Sequence, residues 1–354
     1  MPVTRRGFLK TLCLVCGALL LKGCAPIDEL THHEPLDPPV FEPAYRKLEA
    51  EGKLTERILQ AYAVMEHCEL CPRRCGVNRL EGEIGFCRSP QNAVVATYSP
   101  HFGEELPLVG RSGSGTIFFA NCNLRCVFCQ NWPIAIEGRG TEATPEAIAS
   151  LMLDLQRVGC HNINLVTPTH VMPNILKAVQ LAAQSGLNIP LVYNTSAYER
   201  LEMIELLDGI VDIYLPDLKF MEGAQAERYN HAAAFDYPLR AQEAIIEMHR
   251  QVGDLVTDEA GVAQRGVMVR HLVMPNRVAG TQAFVKWVAE NLSRDTYVNI
   301  MSQYRVEYKA FEYEDIARSI TPEEFIEAID WAFEAGLTNL DERSLSRYDI
   351  TRQQ

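Results

Sequence analysis

Gly115-Thr116-Ile117-Phe118-Phe119-Ala120 runs directly into Asn121-Cys122-Asn123-Leu124-Arg125-Cys126-Val127-Phe128-Cys129-Gln130-Asn131. The first six residues are mostly apolar, β-branched or aromatic, and read as a strand. Three cysteines follow at C-x3-C-x2-C. Thiolates are the ligands that iron–sulfur clusters take, and three of them can fold around one four-iron cluster, leaving one iron free for a non-protein ligand. A zinc knuckle or a buried thiol cluster is the plainer reading. Closed structural zinc sites take four ligands, however, and no fourth Cys or His follows at short range.

Outward from this loop, apolar runs of strand length alternate with helical patterns, which argues for parallel βα units and an α/β fold. Strands are expected at 116–120, 162–166, 190–193, 211–215, 267–273 and 297–301. The helices between them are expected at 145–158, 173–185, 199–207, 224–252 (broken at Tyr237-Pro238) and 281–291. A last helix over 322–335 has Thr321 as its cap, Glu324 three residues on and Gly336 at its close. Six such units make an open, partial barrel; eight would need more residues than remain. In such barrels the reactive groups collect where strand carboxyl ends give way to loops. Here those ends carry the cysteine loop, Thr167-Pro168-Thr169-His170, Asn194-Thr195-Ser196, Pro216-Asp217-Leu218-Lys219, Arg270-His271 with Pro275-Asn276, and Ser302-Gln303.

The string GTIFFANCNLRCVFCQNW, with an aromatic just before its third cysteine and a strand in front, resembles the radical S-adenosylmethionine (SAM) superfamily. Within it the likeness is greatest to the branch related to the activating enzymes of pyruvate formate-lyase, and it covers about 68 to 335. The resemblance implies a partial (β/α)6 TIM-type barrel with an N-terminal cysteine-rich extension. It implies a [4Fe–4S] cluster on Cys122, Cys126 and Cys129, with SAM beside it contacted by Phe128, Thr167, Asn194, Ser196, Asp217, Lys219 and His271. Asp217 and Lys219 match the family's D-x-K pattern; Lys219 is expected to meet the SAM carboxylate and Asp217 to orient it. Relatives carry Gly-Gly-Glu at the end of the second strand. This chain has Leu165-Val166-Thr167-Pro168-Thr169, so Thr167 is expected to take that place. The implied activity is reductive cleavage of SAM to a 5′-deoxyadenosyl radical that abstracts hydrogen, in that branch from a glycine of a partner protein. A low-potential electron donor is then required. One rival is an exported iron–sulfur electron carrier without SAM turnover; another is a zinc-stabilised binding protein on a degenerate barrel.

A second cysteine group precedes the barrel: Cys68-x2-Cys71-x3-Cys75-x11-Cys87, with Pro72, Gly76, Gly82 and Gly85 as turn residues. Four thiols around tight turns can close on zinc or on a second [4Fe–4S] cluster, and an exported chain could instead form two disulfides. The segment resembles an amino-terminal module of the activating-enzyme relatives, which implies a bound metal centre.

The amino terminus reads as targeting. Thr4-Arg5-Arg6-Gly7-Phe8-Leu9-Lys10 is a twin-arginine pattern before an apolar run too short to span a bilayer. Leu21-Lys22-Gly23-Cys24-Ala25 resembles a lipoprotein cleavage site with Cys24 as the lipidated residue, giving membrane anchoring without spanning. The expectation is export to the periplasm or a membrane surface, against a cytoplasmic alternative. The chain divides into a signal (1–24), a linker (25–43), a helical and four-cysteine region (44–110), the barrel (111–336) and a C-terminal tail (337–354), exposed over 341–354. Apolar spacing at Leu48, Leu54, Ile58, Leu59 and Tyr62 predicts one or two helices ahead of the cysteines. A net charge of −13 over 354 residues argues against nucleic acid as a partner.

Overall fold

The computed structural model describes residues 41–231 and 236–353. The twin-arginine stretch, Cys24 and nearly all of the expected linker lie outside the described residues. Two helices come first, α1 (Ala44–Ala50) and α2 (Lys53–Ala63). In α2 the buried stripe is Leu54, Ile58 and Ala61, while Leu59 is 66% exposed, so the stripe runs at i, i+4, i+7 and Leu59 falls on the solvent face.

The rest of the chain is ordered as β1 (Ala93–His101), α3 (Leu106–Val109), β2 (Ser114–Phe119), α4 (Trp132–Ala135), β3 (Thr141–Ala143), α5 (Pro145–Arg157), β4 (Ile163–Val166) and α6 (Met172–Gln184). It continues with β5 (Leu191–Thr195), α7 (Leu201–Glu205), β6 (Ile213–Pro216), α8 (Gly223–Asn230), α9 (Tyr237–Val252), β7 (Val256–Thr257) and β8 (Ala263–Leu272). Last come α10 (Thr281–Asn291), β9 (Tyr297–Met301), α11 (Pro322–Glu334) and α12 (Glu342–Arg352).

Strands β2, β4, β5, β6, β8 and β9 pair in that order, all parallel. They are the six strands that the sequence pattern anticipates, and they form the open, partial α/β barrel. Their central members, β5 and β6, are buried at every residue, as strands covered on both faces must be. Gly115 permits this closeness: a Cβ there would sit 2.6 Å from the Asn162 carbonyl at the start of the next strand.

Several expectations are corrected. The region 44–110 is more than an appendage, because β1 joins the same sheet antiparallel to β2 and β3. The tail is not an exposed coil. Asp341 is fully buried, caps α12 through the amides of Arg343 and Ser344, and accepts from the Tyr297 hydroxyl. Helix α7 starts later than 199 because Glu199 is drawn into the barrel interior. The break expected at Tyr237-Pro238 is present, since α8 ends at Asn230 and α9 begins at Tyr237 with Pro238 in its first turn, where its missing N–H costs nothing. Helix α11 does carry its capping box between Thr321 and Glu324.

Candidate active site

The cysteine loop leaves β2 through two left-handed residues, Asn121 (φ 74°) and Arg125 (φ 60°), which fold the chain back so that three thiols face one space. The loop is fastened from outside. The Asn121 amide donates to the Ile134 carbonyl, the Val127 amide to Tyr229, and the Asn123 side chain to the Tyr198 carbonyl at 2.8 Å. Within it, the Leu124 amide donates to Cys122 Sγ at 3.4 Å.

Cys122, Cys126 and Cys129 line a cavity of about 280 Å³ at the carboxyl ends of the parallel strands. Phe128, Thr167, Asn194, Ser196, Asp217 and Lys219 line the same cavity, so the fold brings together residues from separate strand ends. The Ser196 hydroxyl is buried and has no partner among the described residues, which leaves it available to a ligand. Phe128 packs edge-on to Phe220 at a 6.0 Å centroid separation, which fixes its ring against the wall.

His271 is not among the lining residues. It is fully buried on the other side of β8, stacked on Phe284 at 4.3 Å, with its ring nitrogens directed at the Leu218 carbonyl and the Thr281 hydroxyl. Burial pushes its pKa down to about 4, so it is a neutral core residue. Successive residues of a strand face opposite sides, so the neighbour takes the place expected of it. That neighbour is Arg270. Its Nε donates to Asp217 Oδ1 at 2.5 Å, and its terminal nitrogens donate to Asn194 Oδ1 at 2.6 Å and Glu104 Oε2 at 3.3 Å.

Lys219 donates to the other Asp217 oxygen at 2.6 Å, completing a buried chain of charges, Lys219–Asp217–Arg270–Glu104. Burial works against the Asp217 charge, but Arg270 and Lys219 outweigh it and hold the carboxyl below its usual range. For Lys219 burial is likewise overcome, by Asp217 and Cys126, and its pKa is raised. Glu104 is shifted the other way: burial lifts its pKa despite Arg270. Sequence reasoning places Arg270 at a strand end beside His271 without giving it a contact, and it gives Glu104 no role. The period-2 alternation along β8 is the signal for Arg270, whereas nothing local marks Glu104.

Burial pushes the Cys129 thiol up to about 12 and Cys126 higher still, so a cation is needed to hold these sulfurs as thiolates. Among the described residues no three Cys, His, Asp or Glu side chains converge as a single metal ion would require. Three thiols spread over one cavity suit a cluster, whose ligands bind separate irons, better than zinc with its sulfurs about 2.3 Å from one centre. The second cysteine group also faces a single pocket, walled by Cys68, Cys71, Cys75 and Cys87 together with Arg73, Arg79, Phe86, Asn123 and His170. All eight cysteines among the described residues are free thiols, so the disulfide alternative is not realised. None of the helices among the described residues is long and apolar enough to cross a membrane.

Residues 116–257 match the model of the radical SAM superfamily. Uncharacterized protein MJ0674 of Methanocaldococcus jannaschii is 36% identical over 279 residues, covering 76% of this chain and 75% of its own length. A second uncharacterised protein of that organism, MJ0808, is 31% identical over 114 residues, covering 27% of this chain and 33% of its own. Among solved structures, methylornithine synthase (PylB) aligns with a TM-score of 0.42 at 13% identity, over 65% of this chain and 66% of that one. Native anSMEcpe with bound AdoMet aligns at 0.41 and 12%, over 62% and 61%. This chain thus spans just under two thirds of each of those two structures.

Proposed function

The chain belongs to the radical SAM superfamily, and from that footing we propose that Cys122, Cys126 and Cys129 hold the [4Fe–4S] cluster at which it cleaves SAM. Bound together, cluster and SAM supply a 5′-deoxyadenosyl radical, formed with one electron from a low-potential donor, that takes a hydrogen atom from substrate. The observation that carries the proposal is the shared cavity: three thiols and the strand-end residues Thr167, Asn194, Ser196, Asp217 and Lys219 all face it.

Each side chain then has a role that its surroundings support. Lys219, kept cationic by Asp217, would pair with the carboxylate of bound SAM. Asp217 is held between Lys219 and Arg270 and sets the direction of both. Ser196 offers its unpartnered hydroxyl, Thr167 its backbone and hydroxyl, and Asn194 its amide, with the carbonyl oxygen already fixed by Arg270. Phe128, packed against Phe220 and Tyr304, forms the cavity wall beside the cysteines. The D-x-K pair supports the finer reading that the hydrogen comes from a glycine of a protein substrate. The twin-arginine stretch and Cys24 support an enzyme exported and anchored at a membrane surface.

The test is anaerobic reconstitution with iron and sulfide, followed by dithionite and SAM, with 5′-deoxyadenosine as the product measured. An intact cluster that forms none refutes the proposal. Cys126→Ala should abolish the product.

A further inference from the structure

Two arginines at the four-cysteine pocket lack a counter-charge. Arg79 is 1% exposed; its terminal nitrogens donate to the His170 and Pro90 carbonyls at 2.8 and 2.7 Å, and its Nε has no acceptor among the described residues. Arg73 donates from Nε to the Asn123 carbonyl at 2.6 Å and lies 3.5 Å over the Phe86 ring, while one terminal nitrogen is buried with no acceptor among the described residues. Among the described residues neither guanidinium has a carboxylate at ion-pair distance. A guanidinium cannot shed its proton, and a buried cation must be paired. The pocket these groups share therefore calls for an anion that also accepts N–H bonds.

Four neutral thiols would supply no negative charge. Four thiolates on an iron–sulfur core supply both, because the assembly is anionic and its sulfurs accept hydrogen bonds. The backbone is already shaped to this end. The Phe86 amide donates to Cys75 Sγ at 3.5 Å, and a Cβ at Gly85 would crowd that sulfur at 3.0 Å, so glycine eases the close passage of the chain. Nor do the sulfurs converge on one point, as a zinc site would need. We propose that Cys68, Cys71, Cys75 and Cys87 hold a second iron–sulfur cluster whose negative charge is balanced by Arg73 and Arg79.

This site is not isolated from the first. Asn123, the residue after Cys122, forms part of its wall, and Arg73 both bonds the Asn123 carbonyl and interacts electrostatically with Cys71, Cys75 and Cys122. One guanidinium thus ties the four-cysteine pocket to the residue that follows Cys122.

The test uses the full chain, reconstituted anaerobically with ferrous iron and sulfide, with iron, zinc and acid-labile sulfide counted and electron paramagnetic resonance recorded after dithionite. The unsubstituted protein should bind about eight irons, and a Cys122→Ala/Cys126→Ala/Cys129→Ala variant should keep about four, with a reduced signal that SAM does not perturb. That triple variant leaves the proposed ligands intact, so the test does not depend on whether the chain folds without them. Arg73→Gln and Arg79→Gln should each keep the iron and move the potential of that signal to more negative values, since a lost cation disfavours the reduced state. Zinc in place of iron, no iron in the triple variant, or unmoved potentials in both arginine variants would overturn the proposal. An unsubstituted chain with about four irons, all lost in the triple variant, would sink this site and leave the SAM reading standing. Retention of the second signal without 5′-deoxyadenosine from the unsubstituted chain would do the reverse.

Discussion

Glu199→Gln should stabilise the protein at pH 8 and leave it unchanged near pH 4. Glu199 is 1% exposed, and its Oε1 accepts from the hydroxyls of Thr169 (2.6 Å), Thr195 (2.5 Å) and Tyr193 (3.5 Å). Burial, only partly offset by these donors, raises its pKa from 4.5 to about 7. Below pH 4.5 the carboxyl is protonated whether the chain is folded or not. Between 4.5 and 7 the folded chain keeps a proton that the unfolded chain has released, so stability falls as pH rises; above 7 the loss is complete. A displacement of about 2.5 units at 1.36 kcal/mol each amounts to ~3 kcal/mol. Glutamine keeps the acceptor oxygen and cannot ionise, so the variant escapes this loss. Urea unfolding of both proteins at a series of pH values reads it directly as a stability difference that grows by ~3 kcal/mol between about pH 4.5 and 8. Asp212, also lifted to about 7 by burial, follows the same trend in both proteins and cancels. A difference that stays constant with pH would refute the reasoning, because Glu199 would then ionise alike in both states. Because glutamine keeps the acceptor that holds Thr169 and Thr195, the neighbours of Thr167 and Ser196, the variant should also keep its affinity for SAM.

Arg270→Met removes the cation that Asp217 and Glu104 share, and should cost about 3–5 kcal/mol in urea unfolding at pH 7. The Asp217 contribution is present above the ordinary carboxylate pKa and disappears as pH falls through its lowered one, so this deficit should shrink in acid. Ser196→Ala should raise the KM for SAM by about five- to tenfold, the equivalent of one hydrogen bond, with little change in stability. His271→Leu should do the opposite, lowering stability by about 1–3 kcal/mol through the unpaired Leu218 carbonyl and Thr281 hydroxyl while KM for SAM holds. Thr321→Ala should cost about 1 kcal/mol through loss of the α11 cap, with 5′-deoxyadenosine formation unaffected.

What could be read from the chain was whatever depends on near neighbours in sequence. Cys122, Cys126 and Cys129 lie within eight residues, so their spacing alone brings them around one space. The period of apolar residues located the six parallel strands, and Thr321 with Glu324 located the start of α11 for the same reason. Two errors have one origin: pattern places an element without placing its face. Leu59 keeps the helical spacing yet falls on the solvent face of α2, and His271 shares its strand end with Arg270 although only Arg270 faces the cavity.

The amino-acid order by itself determined the cysteine loop, the α/β alternation and the polar chemistry at the strand ends, because each is written in runs of a few residues. Only the tertiary structure decided which of those polar groups meet. Glu104 reaches Arg270 across 166 residues of sequence, and Arg343 of the last helix bonds the Gly103 carbonyl beside it. Such partners are chosen by the shared need to pair buried charge, and that need exists only once the barrel has closed around them.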